Sequence, residues 1–385
     1  MKSEKADAQS VFVGIGGVGM LLLDKLAAVG VPVGSFIGMD SDYQSIQRGQ
    51  FAERVQLGAL TRRGWGCSGD SAEGASCVRA VRDEVGEKLN GADVVIIVAG
   101  MGGGMGGGGA PVVAEIASEK GALVLSIAIE PFDLEGRQES ADLALQRLIQ
   151  VSDTVIRMSN QSIMKRMKTA CSTQECLGVA NGRILDAMMG LAHLMRSDGL
   201  LNINFAHVRE LIGGQHGESK LDIVEIAGDV RPRAIVGELM KHQFFGPDNQ
   251  IGEDSGMIIN LLGDDSLNME TVDKFKTCLE SVAPKFQRVI GAHADKAMDS
   301  RMRLMLLAPD FFTQKIDLEQ NQSIHLADRT IETAIEEGTR VKEGVQQQLA
   351  LVPVSKGRFD KGSPNLHDGE DLDVPTFLRR NMILN

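Results

Sequence analysis

Residues 100–111 read GMGGGMGGGGAP, and this glycine-rich stretch is the most specific signal for the fold in the chain. It follows the apolar run Val94 to Ala99 and precedes a helical pattern over Val112 to Lys120. Glycine tolerates positive φ and lets the backbone approach a ligand closely, so a glycine run between a buried strand and a helix is typical of a nest for phosphate groups. The sequence therefore predicts a phosphate-binding loop here, named the glycine-rich loop (residues 100–109) below.

A second glycine motif lies near the N-terminus. Gly14, Gly16 and Gly19 satisfy G-x-G-x-x-G after the predicted strand Ser10 to Gly14, and a helix is predicted to start near Met20. Asp40 follows at the spacing of the acidic residue that binds ribose in dinucleotide folds. This motif alone leaves an NAD-dependent oxidoreductase open as an alternative, although such a fold does not need the glycine-rich loop.

Apolar runs alternate with helical segments through the first half, which predicts an α/β fold with a doubly wound parallel sheet. A long helix is predicted over Leu177 to Met195 and a second helix over Met269 to Val282. The remaining predicted strands are Ser35 to Met39, Leu123 to Ile129, Thr154 to Met158, Gly256 to Leu262, Arg288 to Ala292 and Arg301 to Ala308.

The domain organisation follows from these elements and from a change in composition. From Val354 the chain is rich in Lys, Gly, Ser, Pro and Asp, as flexible linkers are, and residues near 323–350 could form a polar helix. We predict a flexible N-terminus (1–9), a nucleotide-binding domain (10–176), a central helix (177–198), a C-terminal α/β domain (199–312), a helical and flexible linker (313–370) and a C-terminal interaction peptide (371–385).

Composition excludes several classes of function. A net charge of −12 without a basic stripe disfavours nucleic-acid binding, and no apolar run approaches the roughly 20 residues that span a bilayer. The charged N-terminus lacks a secretory signal, so we expect a cytoplasmic protein. The five cysteines show neither C-x-x-C pairing nor zinc-site spacing, so we expect free thiols and no metal site.

Five segments in order resemble the FtsZ family of bacterial tubulin homologues. Residues 99–115, AGMGGGMGGGGAPVVAE, resemble its phosphate-loop signature, and residues 131–136, PFDLEG, resemble its ribose loop. Residues 40–44, 64–66 and 199–208 resemble its second loop, third loop and synergy loop, so the resemblance covers roughly residues 11–310. It implies a tubulin/FtsZ-like fold, in which a Rossmann-type parallel sheet domain is joined by a long central helix to a smaller α/β domain.

The resemblance implies that GTP or GDP is bound, with Mg accompanying the nucleotide. Five positions depart from the family's pattern in the segments that bind the nucleotide. Gly182 stands where the family reads guanine with an aspartate, Leu21 replaces an asparagine, and Met105 and Gly107 replace hydroxyl residues. Glu139 replaces an arginine, for which Arg137 could partly substitute. The implied nucleotide-binding positions are Gly16, Gly17, Gly19, Asp40, Gly102, Gly103, Gly104, Met105, Gly106, Gly107, Gly108, Glu135, Asn160 and Asn181.

The synergy loop departs further from the family pattern. In the family this loop enters the next subunit's pocket with the motif N-x-D-x-x-D, whose carboxylates orient the attacking water. Here the corresponding residues are Asn202, Asn204 and His207, so both acids are replaced. The expectation is a filament component whose GTP hydrolysis is weak or lost. The alternative is an active GTPase with compensating residues, His207 being the candidate base.

Residues 371–380, DLDVPTFLRR, resemble the family's C-terminal peptide, which docks onto membrane tethers and division regulators. Spaced apolar anchors with arginines behind them suit folding into a partner groove. The implied partners are therefore itself or an FtsZ in head-to-tail polymers and division proteins at the tail, with recruitment to the division site and only indirect membrane contact. The implied partner-binding residues are Leu372, Val374, Pro375, Phe377, Leu378, Arg379 and Arg380.

Overall fold

The computed structural model describes residues 8–30, 34–50, 53–59, 63–166, 172–195, 199–227, 256–282, 287–309, 366–367 and 370–371. The tail residues 372–380, the predicted polar helix near 323–350 and the predicted flexible N-terminus up to residue 7 lie outside the described residues. Among the described helices, none is long and apolar enough to cross a bilayer.

Six parallel strands form the first part of the sheet, in the order β3-β2-β1-β4-β5-β6. Every predicted strand in this part is present and is extended by one residue at its carboxyl end. Only β3 was not predicted, because it is a four-residue edge strand with an exposed Glu53 and Arg54. The strands are β1 Ser10–Ile15, β2 Ser35–Asp40, β3 Glu53–Gln56, β4 Val94–Gly100, β5 Leu123–Glu130 and β6 Thr154–Ser159.

Helices cover both faces of this sheet, because the buried strands present apolar side chains alternately to either side. Along β4, Val95, Ile97 and Ala99 join one apolar core, whereas Val94, Ile96 and Val98 join the other. The helices of this part are α1 Gly16–Val29, α2 Tyr43–Arg48, α3 Ser71–Arg79, α4 Arg82–Lys88, α5 Ala110–Glu119, α6 Gln138–Val151 and α7 Asn160–Arg166. A π-helical turn, Met105–Gly109, leads directly into α5.

The 22-residue helix α8, Thr173–Leu194, connects the two parts of the fold. Its N-terminus is fixed by a capping box between Ser172 and Glu175. Its inner face packs Ile184, Met188 and Leu191 into the core shared with α1. The long helix predicted over Leu177 to Met195 is thus present, and it starts four residues earlier than the apolar pattern alone indicated.

The second part continues the sheet in the order β7-β10-β8-β9, with β10 antiparallel to β7 and β8. Strand β7 was not predicted, because charged residues interrupt its apolar residues and leave no continuous apolar run. It pairs with β6 in parallel, so the described strands form one ten-stranded sheet, and the predicted domain boundaries stay a prediction. The elements are α9 Phe205–Ile212, β7 Gly217–Ala227, β8 Gly256–Gly263, α10 Met269–Val282, β9 Gln287–Ala294 and β10 Arg301–Pro309.

A separate unit comprises Ile324–Asn385. Its described residues form two short antiparallel strands, β11 Leu366–His367 and β12 Glu370–Asp371. The composition of this segment predicts a flexible linker and gives no signal for these strands.

The cysteines differ from expectation at one position. Cys67, Cys77 and Cys278 are not in disulfides, as predicted. Cys176, buried on α8, is disulfide-bonded, so the prediction that every cysteine is free is wrong there. Spacing rules fail at this point because they do not report which sulfurs the fold brings together.

Candidate functional site

The two glycine segments meet where the strand order reverses. β1 and β4 are neighbours in the sheet, although β2 and β3 come between them in the chain and lie on the other side of β1. Open α/β sheets bind ligands outside the carboxyl ends of the strands at such a switch point. A Cβ added at Gly16 would lie 3.4 Å from Met105 Cβ and 3.5 Å from the Gly106 nitrogen, so the segments after β1 and β4 form one surface.

The glycines of the N-terminal motif have two different roles: Gly14 and Gly19 allow close packing, and Gly16 allows a turn. A Cβ at Gly19 would overlap the carbonyl oxygen of Val98, and one at Gly14 would lie 2.7 Å from the carbonyl carbon of Gly19. These two glycines therefore let α1 press against β1 and β4. Gly16 has a φ of +72° and begins α1, so the prediction of a helix starting near Met20 is wrong by about one turn. The start was hidden because glycine is a poor helix former.

Most of the glycine-rich loop is buried against α3. Cβ atoms at Gly106 and Gly108 would overlap the carbonyl oxygens of Gly100 and Ser71, and one at Gly104 would lie 2.9 Å from the Asp70 oxygen. These predicted site residues thus act first through close backbone packing. Gly103 is half-buried and has only the Gly100 oxygen nearby, at 3.8 Å, so it is the open position of the loop.

Met105 and Gly107 occupy the two positions at which the family's phosphate-loop signature has hydroxyl residues. The Met105 side chain is buried and its Sδ lies 3.7 Å from Cys67 Sγ, so it faces the core. A Cβ at Gly107 would lie 3.2 Å from the Ala144 Cβ, which leaves little space for a larger side chain. At both positions the chain offers backbone groups and no hydroxyl.

Three helix N-termini surround this surface without side-chain caps. Among the described residues, no side chain caps α1, the π-helical turn before α5, or α6. Side chains do cap α2, α3, α8 and α9, whereas α4 also lacks a side-chain cap. The first N–H groups of a helix have no partner within the helix and carry a partial positive charge. Their convergence at the glycine segments makes a site for an anion.

Arg137 adds a positive charge beside the glycine-rich loop. Gly102 has a φ of +81°, and a Cβ added there would lie 3.1 Å from the Arg137 Cβ. Arg137 is exposed at the N-terminus of α6, two residues before the equally exposed Glu139. Its substitution for the missing family arginine stays a prediction.

The Asp40 side chain is hydrogen-bonded to the backbone of the loop that directly follows it. Its Oδ1 accepts hydrogen bonds from the backbone N–H groups of Ser41, at 2.7 Å, and Asp42, at 3.2 Å. Burial raises the pKa of the Asp40 carboxyl above its ordinary value, and these hydrogen bonds oppose that shift. The geometry shows Asp40 fixing the turn after β2. Trp65 follows as an exposed residue bridged to Asp42, with 86% of its surface accessible.

The other predicted nucleotide positions lie on the elements next along the sheet. Glu135 Oε1 accepts a hydrogen bond from the Phe132 N–H at 2.9 Å and closes the turn after β5. Asn160 begins α7, and Asn181 is half-buried on α8. A Cβ at the neighbouring Gly182 meets no atom within 4 Å, so this helix position is open.

The predicted synergy-loop residues are held by short-range hydrogen bonds. Asn202 Oδ1 accepts from the Gly199 N–H at 2.7 Å, and Asn204 Oδ1 accepts from the Ala206 N–H at 3.0 Å, which caps α9. His207 is exposed in the first turn of that helix, and this turn contains no acidic residue. The loop follows the C-terminal end of α8, which is about 33 Å long, so it lies far from the helix's N-terminal end.

Metal-binding side chains do not cluster in the described part of the chain. No group of three or more His, Cys, Asp or Glu residues there could hold a metal ion.

Comparison with known proteins gives a match to the part of the chain that contains both glycine segments. Residues 9–168 match the family model described as Tubulin/FtsZ family, GTPase domain. Cell division protein FtsZ 2 of Methanocaldococcus jannaschii is 30% identical over 313 residues, covering 80% of this chain and 81% of that protein. Cell division protein FtsZ 1 of Pyrococcus furiosus is 28% identical over 338 residues, covering 87% of this chain and 90% of that protein.

Solved structures show the same fold. An empty FtsZ dimer from M. jannaschii aligns with a TM-score of 0.73 and 25% identity, covering 80% of this chain and 90% of that chain. The GTPγS-bound protofilament of CetZ2 from Haloferax volcanii aligns with a TM-score of 0.63 and 20% identity, covering 83% and 99%. At that identity the second likeness concerns the fold alone.

Proposed function

Because this chain belongs to the tubulin/FtsZ family, we propose that it binds a guanine nucleotide at the glycine segments and assembles head to tail, with little or no GTP hydrolysis of its own. The described residues fit a nucleotide through backbone donors more than through side chains. The bound group would supply the phosphate whose hydrolysis drives turnover in an active GTPase. The chain's own residues decide whether that hydrolysis occurs.

The convergence of three helix N-termini without side-chain caps carries the binding half of the proposal. Gly16, Gly17 and Gly103 offer backbone N–H groups at this surface, and Arg137 lies beside Gly102. Hydrogen bonds to a charged group contribute about 1.5–3 kcal/mol each, so several backbone donors can retain a phosphate chain without the missing hydroxyls. Glu139 opposes this attraction from the first turn of α6.

Base recognition is weaker than phosphate recognition. Leu21 on α1 is 47% exposed and offers an apolar surface, and no side chain projects from Gly182 on α8. Losing two or three polar contacts to the base removes several kcal/mol of about 8 kcal/mol, the binding free energy at micromolar affinity. The proposal therefore includes a nucleotide held mainly by its phosphates, with reduced preference for guanine.

The absence of acids in the first turn of α9 supports the hydrolysis half. A general base must reach the proton that it abstracts, and a positioned base contributes about 10²–10⁴ in rate. The amide of Asn204 cannot accept that proton, and its oxygen is engaged with the Ala206 N–H. We expect phosphate release two to four orders of magnitude below that of an active relative. An active enzyme would need His207, exposed on the same turn, as its base.

Head-to-tail assembly follows from the separation of the two half-sites. Arg209, one residue after the synergy loop, donates a hydrogen bond to the carbonyl oxygen of Gly121, two residues before β5, whereas the glycine segments follow the carboxyl ends of β1 and β4. The loop and the glycine segments thus lie at opposite edges of the parallel strands, so one chain does not bring them together. A second copy, or an FtsZ, could place its synergy loop over the nucleotide. We further propose that the tail residues 372–380 dock onto division proteins, and that the filament serves cell division or membrane remodelling, in keeping with the relatives named as cell division proteins.

Sedimentation and phosphate release, measured on the same sample with GTP, test this proposal. We expect polymer in the pellet with phosphate release near the background rate, and GTP or GDP bound to the purified protein in mass spectrometry. Release that rises cooperatively with protein concentration to the rate of an active FtsZ would contradict the hydrolysis half. Failure of GTP, GDP and ATP to shift the melting temperature would contradict the binding half.

A further inference from the structure

A buried sulfur cluster lies directly beneath the glycine-rich loop. Cys67 Sγ is 3.9 Å from Cys77 Sγ and 3.7 Å from Met105 Sδ, and it exchanges a hydrogen bond of 3.3 Å with Ser41 Oγ. Neither cysteine is in a disulfide, and both are buried. The four residues come from different segments of the fold, and the nucleotide site described above does not use either thiol.

The two cysteines differ in the backbone that carries them. Cys77 lies on α3, which is capped by Asp70 and packed against the glycine-rich loop. Cys67 lies in the tryptophan loop (residues 63–70), where Arg63 and Ser68 adopt the left-handed region with φ of +53° and +47°. Non-glycine residues at positive φ are uncommon and hold the backbone above its lowest energy, so this loop has conformations of lower energy to move toward.

We propose that Cys67 and Cys77 form a redox-modification site, in which a peroxide converts the thiol pair to an intramolecular disulfide. The Cys67 thiol loses its proton and its sulfur attacks one oxygen of hydrogen peroxide, so that an S–O bond forms as the O–O bond breaks. The departing hydroxide takes up the proton and leaves as water, and Cys67 becomes a sulfenic acid. Cys77 Sγ then displaces the sulfenic oxygen, which departs as a second water. Two thiols are oxidised and one peroxide is reduced, so the only co-reactant is the peroxide.

Geometry favours this pairing. A disulfide bond is about 2.05 Å long, so the two sulfurs need to approach by roughly 2 Å, and rotation of a cysteine side chain with a small loop shift covers that distance. Ten residues separate the two cysteines in sequence, and they lie on one loop and the helix that follows it. Cys278, on α10 in the other part of the sheet, is the matched cysteine outside the cluster and is not in a disulfide.

Formation of the disulfide would alter the backbone of the glycine-rich loop. A Cβ added at Gly104 would lie 2.7 Å from Cys67 Cβ, so the loop backbone rests on this cysteine. Movement of Cys67 toward α3 removes that support and withdraws the sulfur from Met105. We therefore expect oxidation to change the protection of the loop amides. This consequence concerns backbone order and can be measured without any nucleotide.

Peptide mapping of the full chain after peroxide treatment tests the site directly. Residues 64–79 form a single tryptic peptide containing both cysteines, because Arg63 and Arg79 flank it without an internal Lys or Arg. The expected product is this peptide two hydrogen masses lighter and without alkyl label, while Cys278 still accepts its label. Recovery of both cysteines with alkyl labels, or oxidised separately with added oxygen, would overturn the proposal.

Two further measurements exclude a general effect of the peroxide. In Cys77→Ser the resolving thiol is absent, so Cys67 should accumulate as oxygen adducts and no light peptide should appear. Hydrogen exchange over residues 100–112 should change on oxidation in the wild type and stay constant in Cys77→Ser. Equal exchange changes in both proteins would overturn the link to the loop, and neither outcome depends on whether GTP binds.

Discussion

The side-chain oxygen of Asn204 accepts a hydrogen bond from the backbone N–H of Ala206 over 3.0 Å, and this bond caps α9. The same residue stands where an active relative of the family is expected to carry a carboxylate. Asn and Asp are nearly equivalent caps, whereas alanine cannot accept the hydrogen bond. Substitutions at position 204 can therefore change the cap of α9 and the presence of a carboxylate separately.

Asn204→Asp should leave the free energy of unfolding within about 0.5 kcal/mol of the wild type, because the cap is conserved. Asn204→Ala should lose about 1 kcal/mol. Urea denaturation of both variants measures these differences. A loss for Asn204→Asp as large as that for Asn204→Ala would show that the carboxylate cannot replace the amide as a cap.

Gly19→Ala should be severely destabilising, because its Cβ would overlap the Val98 carbonyl oxygen and lie 2.9 Å from the carbonyl carbon of Gly14. Gly178→Ala on α8 is the matched control, since a Cβ there meets no atom within 4 Å. Removing a helical glycine should stabilise that variant by about 0.5–1 kcal/mol. Thermal melts of the two variants should move in opposite directions, and unchanged melting in Gly19→Ala would contradict the close packing of α1 on β4.

Gly182→Asp should increase the preference for GTP over ATP about tenfold, because a carboxylate there gains a charged hydrogen bond to guanine worth at least about 1.5 kcal/mol. The open space at Gly182 accepts the side chain without displacement. Gly178→Asp, one turn earlier and equally open, controls for added negative charge. Titration calorimetry with both nucleotides measures the ratio. Equal ratios in the two variants would place the base elsewhere.

An ion-pair network joins α8 to β7 and β10, and Arg303 is its central residue. Arg303 Nη2 lies 2.6 Å from Glu225 Oε2 and 3.1 Å from Asp186 Oδ1, and its side chain is 12% exposed. Burial raises the pKa of Asp186 despite Arg303. Burial acts in the same direction on Glu225, but hydrogen bonds and charge from Arg303 and Arg301 outweigh it and hold the pKa of Glu225 below its ordinary value of 4.5.

Arg303→Gln should therefore reduce the free energy of unfolding by about 2 kcal/mol at neutral pH, the order of one hydrogen bond to a charged group. A lowered carboxyl pKa contributes stability that is present above pH 4.5 and is lost as the pH falls through the folded value. The difference between wild type and variant should thus shrink below pH 4.5. Denaturation at pH 7 and pH 3.5 checks this, and a difference that grows on acidification would contradict the assignment.

The sequence was informative wherever a buried strand produced a continuous apolar run. Val94 to Ala99 and the segments that pair with it became strands within one residue of prediction, because both faces of a parallel sheet are covered. The strands that alternate polar and apolar residues, β3 and β7, gave no such signal. The resemblance to the family located the glycine segments and the synergy loop together.

The packing of the glycine-rich loop against other segments could not be predicted from the sequence. Its composition predicted a phosphate nest, yet Gly106 and Gly108 contact the backbone of Gly100 and of Ser71 on α3. Contacts between distant segments decide that role, and no local pattern reports them. The same holds for Met105, whose inward direction depends on Cys67.

Phosphate release by the double variant Asn204→Asp/His207→Asp is the decisive test of whether the missing carboxylates limit GTP hydrolysis. Acids in the first turn of α9 are compatible with the helix dipole, so the variant should fold as the wild type does. We predict that GTP turnover by assembled protein rises at least 10²-fold over the wild type, with Asn204→Asp alone intermediate. Wild-type turnover already equal to that of the double variant, with polymer present in both, would contradict the claim that the missing carboxylates limit hydrolysis.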